Sequence, residues 1–147
     1  MSSRAFITGI SGMELSAAER EFIRGTRPWG FILFKRNIDA PAQVSALVRE
    51  LRDCLDEADA PVLIDQEGGR VARLGPPHWP VYPPGATFGA LYDLDKAMGL
   101  KAARLSARLI AAVLFAAAGA AGASAQEQTT WKAVLVAGDD SAPVFEN

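Results

Sequence analysis

Residues 29–55 read "WGFILFKRNIDAPAQVSALVRELRDCL", and this stretch predicts the fold class because it joins two different patterns. Its first six residues are a continuous apolar run, typical of a strand that is covered on both faces. Farther along, apolar residues recur at three- and four-residue steps and give one helical stripe: Val44, Leu47, Val48, Leu51 and Leu55. Pro41 suits the first turn of that helix. The stretch therefore predicts a buried strand followed by an amphipathic helix.

The flanking segments repeat this alternation. "RAFITGI", residues 4–10, predicts a first strand, and "SAAE", residues 16–19, matches a helix capping box. "PVLI", residues 61–64, predicts a third strand, and a Pro-rich loop follows over 75–90. A last helix is expected to begin near Asp95 and to carry Leu100, Ala103, Leu105 and Leu109. Strands that alternate with helices favour an α/β fold with a parallel sheet and right-handed crossovers.

Charge and composition exclude several classes of protein. The formal net charge of -2 argues against a nucleic-acid partner, which usually requires a clustered basic excess. The single cysteine, Cys54, excludes an internal disulfide framework and a Cys-rich zinc site, and we interpret it as a semi-buried helix thiol. Because His78 is also alone, a metal site would need carboxylates only. We therefore predict neither a metal nor a cofactor.

The second half of the chain contains an unexpected pattern at residues 98–125. Lys101, Arg104 and Arg108 precede an uncharged run over 109–123, and the run ends in "ASA" before Gln126. These are the three parts of a secretory signal peptide, far from an N-terminus. One interpretation is a buried Ala-rich helix that continues from Asp95. The others are a join between unrelated coding sequences, with Met98 as a relic start, and a membrane span, for which the run is short. The tail adds one strand-like run at 131–137.

The stretch "VLIDQEGGRVARL", residues 62–74, carries the candidate chemistry. Asp65 directly follows the third strand, at the sheet edge where α/β proteins bind ligands. Gly68 and Gly69 permit positive φ and close backbone approach, and arginine forks can bind substrate oxygens in pairs. A sugar-binding loop and a solvated turn, with Asp65 or Glu67 paired to Arg70, both remain open. A catalytic Asp65–Glu67 pair is disfavoured, since glycosidase carboxylates face each other across a sugar ring.

Three segments together resemble a known family. "GFILFKRNIDAPAQVSALVRELR", "PVLIDQEGGRVARL" and "PPGATFGAL" are similar to the N-terminal part of glycoside hydrolase family 3, over about residues 4–112. The nearest members are bacterial β-N-acetylhexosaminidases of cell-wall recycling. The resemblance implies a (β/α)8 TIM barrel, represented here by its first three β/α units. It also implies retaining hydrolysis of terminal β-N-acetylglucosamine from peptidoglycan fragments, in the cytoplasm.

The resemblance also assigns roles within the loop. Asp65 is expected to bind hydroxyls of the sugar, and Arg73 is expected to be a second substrate contact. Glu67, Gly68, Gly69 and Arg70 are expected to shape the loop. The partner implied is a small amino sugar or muropeptide, with no nucleic acid.

The chain departs from the family pattern after "ARLIAA". The nucleophile and the acid/base element of the family lie on later strands, and no matching motif follows here. We therefore expect an incomplete barrel domain over 1–112, an Ala/Gly-rich helix and truncated tail over 113–147, no catalytic residue and no activity. The alternatives left open are a non-catalytic amino-sugar-binding module and a membrane-tethered fragment. Membrane contact is expected only through 109–123, within the signal-like segment 98–125.

Overall fold

The structure is a computed structural model that describes residues 4–119, with side-chain surroundings given up to residue 113. The strand-like run 131–137 and the last part of the signal-like segment lie outside the described residues. Between residues 4 and 119, no helix combines the length and the apolar character needed to cross a membrane.

Three parallel strands form the sheet, and they lie side by side in chain order. They are β1 (Arg4–Thr8), β2 (Pro28–Leu33) and β3 (Val62–Ile64). Helix α1 (Ala17–Thr26) connects the first two strands, and α2 (Pro41–Leu55) connects the second pair. Leu33 pairs with Ile64, so β2 and β3 end at the same edge. The predicted α/β class with parallel pairing is confirmed for this part of the chain.

Local sequence signals define the ends of both connecting helices. Ser16 caps α1, because its hydroxyl accepts a hydrogen bond from the Glu19 amide while the Glu19 carboxylate accepts one from the Ser16 amide. Pro41 occupies the first turn of α2, as predicted. An ion pair between Arg20 and Glu50 joins the two helices.

The core lies between the sheet and these helices. Phe31 of β2 is fully buried, and Leu33 is almost so. The predicted stripe of α2 is buried throughout, with members between 0% and 4% exposed: Val44, Leu47, Val48, Leu51 and Leu55. Leu74 and Trp79, from the segment after β3, complete the cluster. Burial of this stripe supplies the main favourable free energy that holds α2 on the sheet.

Two further helices follow, α3 (Gly85–Leu94) and α4 (Lys96–Gly119). Helix α4 begins where the sequence predicts, whereas α3 was expected to be irregular loop. That expectation was wrong because a short helix with glycines and no apolar stripe has no periodic signal. Helix α4 is continuous up to residue 119, so the helical part of the buried-helix interpretation is confirmed over 96–119. Its burial is not, because among residues 96–113 only Gly99 and Ser106 are buried. The boundary between residues 112 and 113 falls inside α4 and stays a prediction.

Helix α4 packs through small residues against α2 and α3. Gly99 lies so close to α3 that a Cβ atom there would be 2.4 Å from the Tyr92 Cα. Ser106 is buried, and Val113 packs against the core cluster. The leucines that the sequence assigns to this helix, Leu100, Leu105 and Leu109, are instead about half exposed. Two helices can approach this closely only where the side chains between them are small. The larger leucines therefore lie outside this contact.

Candidate substrate-binding site

A small antiparallel hairpin follows β3 at the carboxyl edge of the sheet. It consists of β4 (Gln66–Gly68) and β5 (Val71–Ala72), with Gln66 opposite Ala72. Asp65 is the single residue between β3 and β4. The hairpin therefore places the loop residues of the predicted sugar site directly above the end of a parallel strand, where ligands bind in this class of fold.

The side chain of Gln66 holds the hairpin closed. It is 8% exposed, and its Oε1 accepts hydrogen bonds from the backbone amides of Arg73, at 2.8 Å, and Leu74, at 2.9 Å. Its Nε2 donates to the Leu74 carbonyl at 3.0 Å. The amide thus fixes the backbone that carries Arg73. Sequence reasoning missed Gln66 because a buried amide among charged residues leaves no periodic signal.

The turn of the hairpin packs against the Pro-rich loop. Gly68 and Gly69 have φ values of 96° and 58°, which side-chain-bearing residues rarely adopt. A Cβ on Gly68 would lie 2.3 Å from the Pro83 carbonyl oxygen. The Gly69 amide donates to the Tyr82 carbonyl at 2.8 Å. Glycine is therefore required at Gly68 for conformation and for space.

Asp65 and Arg73 meet at the open side of this hairpin. The Arg73 Nη2 donates to the Asp65 Oδ2 at 3.2 Å, and the two side chains are 24% and 49% exposed respectively. The Lys35 Nζ donates to the Arg73 carbonyl at 3.3 Å from the end of β2. Within the described residues, the Arg73 Nε is buried without a hydrogen-bond partner. The pair thus presents carboxylate oxygen and guanidinium N–H groups together at a solvent-accessible edge.

Glu67 and Arg70 are the other two charged residues of the hairpin. Both are exposed, and within the described residues no hydrogen bond or ion pair joins their side chains. The solvated-turn alternative, in which Arg70 holds Asp65 or Glu67, is not what the structure contains, since Asp65 pairs with Arg73. The loop-shaping role of Glu67 and Arg70 stays a prediction.

The neighbouring loops at the same edge are tied together by Asn37. Its buried amide donates to the carbonyls of Ile10, at 3.1 Å, and Gly12, at 2.7 Å. Its Oδ1 accepts from the Phe34 amide at 2.8 Å. The loop after β1 and the turn after β2 therefore form one connected rim beside the hairpin. Sequence reasoning did not single out Asn37, for the same reason as Gln66.

The remaining candidate residues have ordinary surroundings. Cys54 is a buried thiol on α2, and His78 is exposed with its ring edge-on to Trp79 at 5.7 Å. Across the part of the chain that the structure describes, no group of His, Cys, Asp or Glu side chains is arranged to hold a metal ion.

Comparison with known proteins shows which class of protein this part of the chain resembles. A β-hexosaminidase of Xanthomonas axonopodis pv. citri (strain 306) is 41% identical over 107 residues, which are 71% of this chain and 31% of that protein. The chain thus spans about a third of the length of the curated relatives that it matches. A separate comparison with protein-family models finds no match.

Solved structures give the same class more specifically. NagZ from Neisseria gonorrhoeae in complex with N-trifluoroacetyl-D-glucosamine has a TM-score of 0.71 and 26% identity, over 78% of this chain and 34% of that one. A glycoside hydrolase family 3 β-N-acetylglucosaminidase from Paenibacillus sp. has a TM-score of 0.65 and 33% identity, over 76% of this chain and 20% of that one. The resemblance predicted from the sequence is confirmed: this part of the chain matches the N-terminal part of glycoside hydrolase family 3 β-N-acetylglucosaminidases.

Proposed function

We propose that Asp65 and Arg73 form part of an N-acetylglucosamine site in the first three β/α units of a (β/α)8 barrel. The observation that supports this is the partly exposed ion pair at the carboxyl end of β3. A carboxylate accepts hydrogen bonds from adjacent sugar hydroxyls, and a guanidinium donates to sugar oxygens in a fixed plane. A ligand that lies across the pair makes both kinds of bond at once.

The relatives suggest the substrate class. The β-hexosaminidase relatives are named for amino-sugar hydrolysis, and a matched NagZ structure holds an N-acylated glucosamine. We propose that the substrate is an amino sugar or muropeptide whose terminal unit is β-linked N-acetylglucosamine. For a complete barrel that contains these β/α units, we propose retaining hydrolysis in cytoplasmic cell-wall recycling.

In this chain we propose binding without cleavage. Residues 62–74 supply the sugar-holding loop, and residues 113–147 contain no match to the family's nucleophile or acid/base motif. Residues 1–147 by themselves therefore offer no covalent route to hydrolysis. Residues 1–147 alone would thus act as a non-catalytic amino-sugar-binding module, and the Asp65–Arg73 geometry supports this proposal.

Calorimetry with N-acetylglucosamine tests the site. We expect heat of binding at millimolar sugar, and Asp65→Asn should weaken binding at least tenfold, since a hydrogen bond to a charged group contributes about 1.5–3 kcal/mol. Arg73→Gln should have a similar effect.

Glu67→Gln is the matched control, because its carboxylate is exposed on the same hairpin. We expect it to bind as the unaltered chain does. An absence of heat from the folded, unaltered chain would refute the site, and an equal loss in Glu67→Gln would refute the assignment to Asp65.

A further inference from the structure

Helix α4 is packed by one face and exposes another. Its inward residues are Gly99, Ser106 and Val113, at seven-residue steps. Beside them lies a second row, Met98, Leu105 and Leu109, whose exposed fractions are 54%, 56% and 47%. Leu94, just before the helix, is 86% exposed. The spacing of 98, 105 and 109 places these three side chains in one row along the helix, and a row of exposed apolar side chains is a candidate interaction surface.

The charges on α4 all have one sign. Lys96, Lys101, Arg104 and Arg108 are its ionisable residues, and there is no acidic residue between 96 and 119. The last three are exposed, and within the described residues none of them forms an ion pair. This local excess contrasts with the net charge of the whole chain, which is -2.

The basic and apolar residues share one side of the helix. Residues three and four positions apart are neighbours on a helix surface, so Lys101 lies beside Leu105, and Arg108 lies beside Leu105 as well. Acids lie on both helices that pack against α4: Asp93 on α3, and Glu50 and Asp53 on α2. Glu50 pairs with Arg20 of α1, and the Asp95 carboxylate accepts from the Met98 amide at 3.0 Å. Within the described residues, no acid forms an ion pair with the basic row of Lys101, Arg104 and Arg108.

We propose that α4 lies in the plane of an anionic lipid surface, with Met98, Leu105 and Leu109 inserted and the basic row against the headgroups. An apolar stripe beside Lys and Arg residues is the arrangement that binds the membrane interface. Long basic side chains bury their methylene stems and keep their charges at headgroup level. The three exposed basic residues Lys101, Arg104 and Arg108, with no acid on α4 itself, also favour the negative surface of the cytoplasmic leaflet. An acidic protein partner would account for the basic residues alone. A lipid surface accounts for them and also for the half-exposed apolar row of Met98, Leu105 and Leu109.

Vesicle sedimentation with the full chain tests the proposal. We expect the protein to sediment with vesicles of phosphatidylcholine and phosphatidylglycerol, and to remain in the supernatant with phosphatidylcholine alone. Binding should weaken as salt is raised, since surface charges are screened over about 10 Å at 0.1 M salt. Failure to bind anionic vesicles, or equal binding to both kinds, would overturn the proposal.

Two variants and a control locate the surface. The triple substitution K101Q/R104Q/R108Q should weaken partition by about a hundredfold, because each basic residue near an anionic membrane contributes about 1 kcal/mol. L105S/L109S should also release the protein, with circular dichroism showing that α4 remains helical. F22S/R24Q changes an exposed apolar and a basic residue of α1 and should bind as the unaltered chain does. Unchanged binding in either α4 variant, or loss in the α1 control, would refute the assignment to α4.

Discussion

Gln66 controls the position of the candidate site more directly than any charged residue. Its three hydrogen bonds fix the backbone at Arg73 and Leu74, and the Arg73 side chain then reaches Asp65. An interaction with a substrate oxygen is sensitive to shifts of well under an ångström, so the backbone of the residue that makes it must be held. The buried amide is therefore a positioning residue for the pair.

Gln66→Leu should destabilise the protein. The change leaves two backbone amides and one carbonyl without partners, and an unsatisfied buried group costs about 1–3 kcal/mol. We expect a loss of about 3 kcal/mol in the free energy of unfolding, measured by urea denaturation. Glu67→Gln, at the exposed neighbouring position, should change it by less than about 0.5 kcal/mol. If the two variants unfold at the same urea concentration, Gln66 does not hold the hairpin.

At the residue scale, the sequence was sufficient to place Asp65 but not to place Gln66. Asp65 follows the last apolar residue of a strand, and the end of a strand is visible in the sequence. Gln66 becomes buried only because the hairpin folds back over it, and that return depends on contacts with the Pro-rich loop. Long-range contacts of this kind leave no periodic pattern.

The capping box of α1 extends beyond the helix through Glu19. Its carboxylate accepts from the amide and hydroxyl of Ser11, as well as from those of Ser16. The Ser11 amide, followed by the Ser16 hydroxyl and amide, lowers the pKa of Glu19 from 4.5 to about 2. Glu19 therefore anchors the loop after β1 to the start of α1.

Glu19→Gln should reveal this anchor through its pH dependence. A lowered pKa in the folded state means that the ionised carboxylate stabilises the fold above pH 4.5, and that this stability is lost as the pH falls towards 2. We expect the variant to be about 1 kcal/mol less stable at pH 7, as for loss of a helix cap. The difference should shrink below pH 4.5 in urea unfolding.

Glu21→Gln, on the exposed face of the same helix, is the control and should show no such pH-dependent difference from the unaltered chain. A Glu19→Gln penalty that stays constant from pH 7 to pH 3 would rule out the charged anchor.

The elements with a regular pattern of apolar residues were predictable from the sequence. The elements whose conformation depends on packing against other segments were not. The strand at Phe31 and the helix stripe at Leu51 are where their patterns place them, because each pattern reflects burial on a whole face. The β4–β5 hairpin and α3 were not foreseen. Both depend on contacts with other segments: Gly68 of the hairpin lies against Pro83, and Tyr92 of α3 lies against Gly99 of α4.

The whole chain should bind sugar without hydrolysing it. Asp65 is engaged by Arg73, and Glu67 lies on the same hairpin, so the two carboxylates cannot face each other across a sugar ring. We expect no release of 4-nitrophenol from an aryl β-N-acetylglucosaminide above a buffer blank. Asp65→Asn, purified in parallel, distinguishes a contaminant from real turnover. Activity that this substitution abolishes would contradict the proposal of binding without cleavage.

The parallel order of the sheet sets the sequence in which the chain can fold. Pairing Phe31 with Val62 must close a loop that contains all of α2, whereas Gln66 and Ala72 are separated by a few residues. Closing a longer loop costs more chain entropy before any contact compensates it. Distant pairings of this kind slow folding, while local turns form early. The hairpin that precedes Arg73 can therefore form early in folding. It takes up its place at the sheet edge, with Arg73 beside Asp65, only when β2 and β3 have paired.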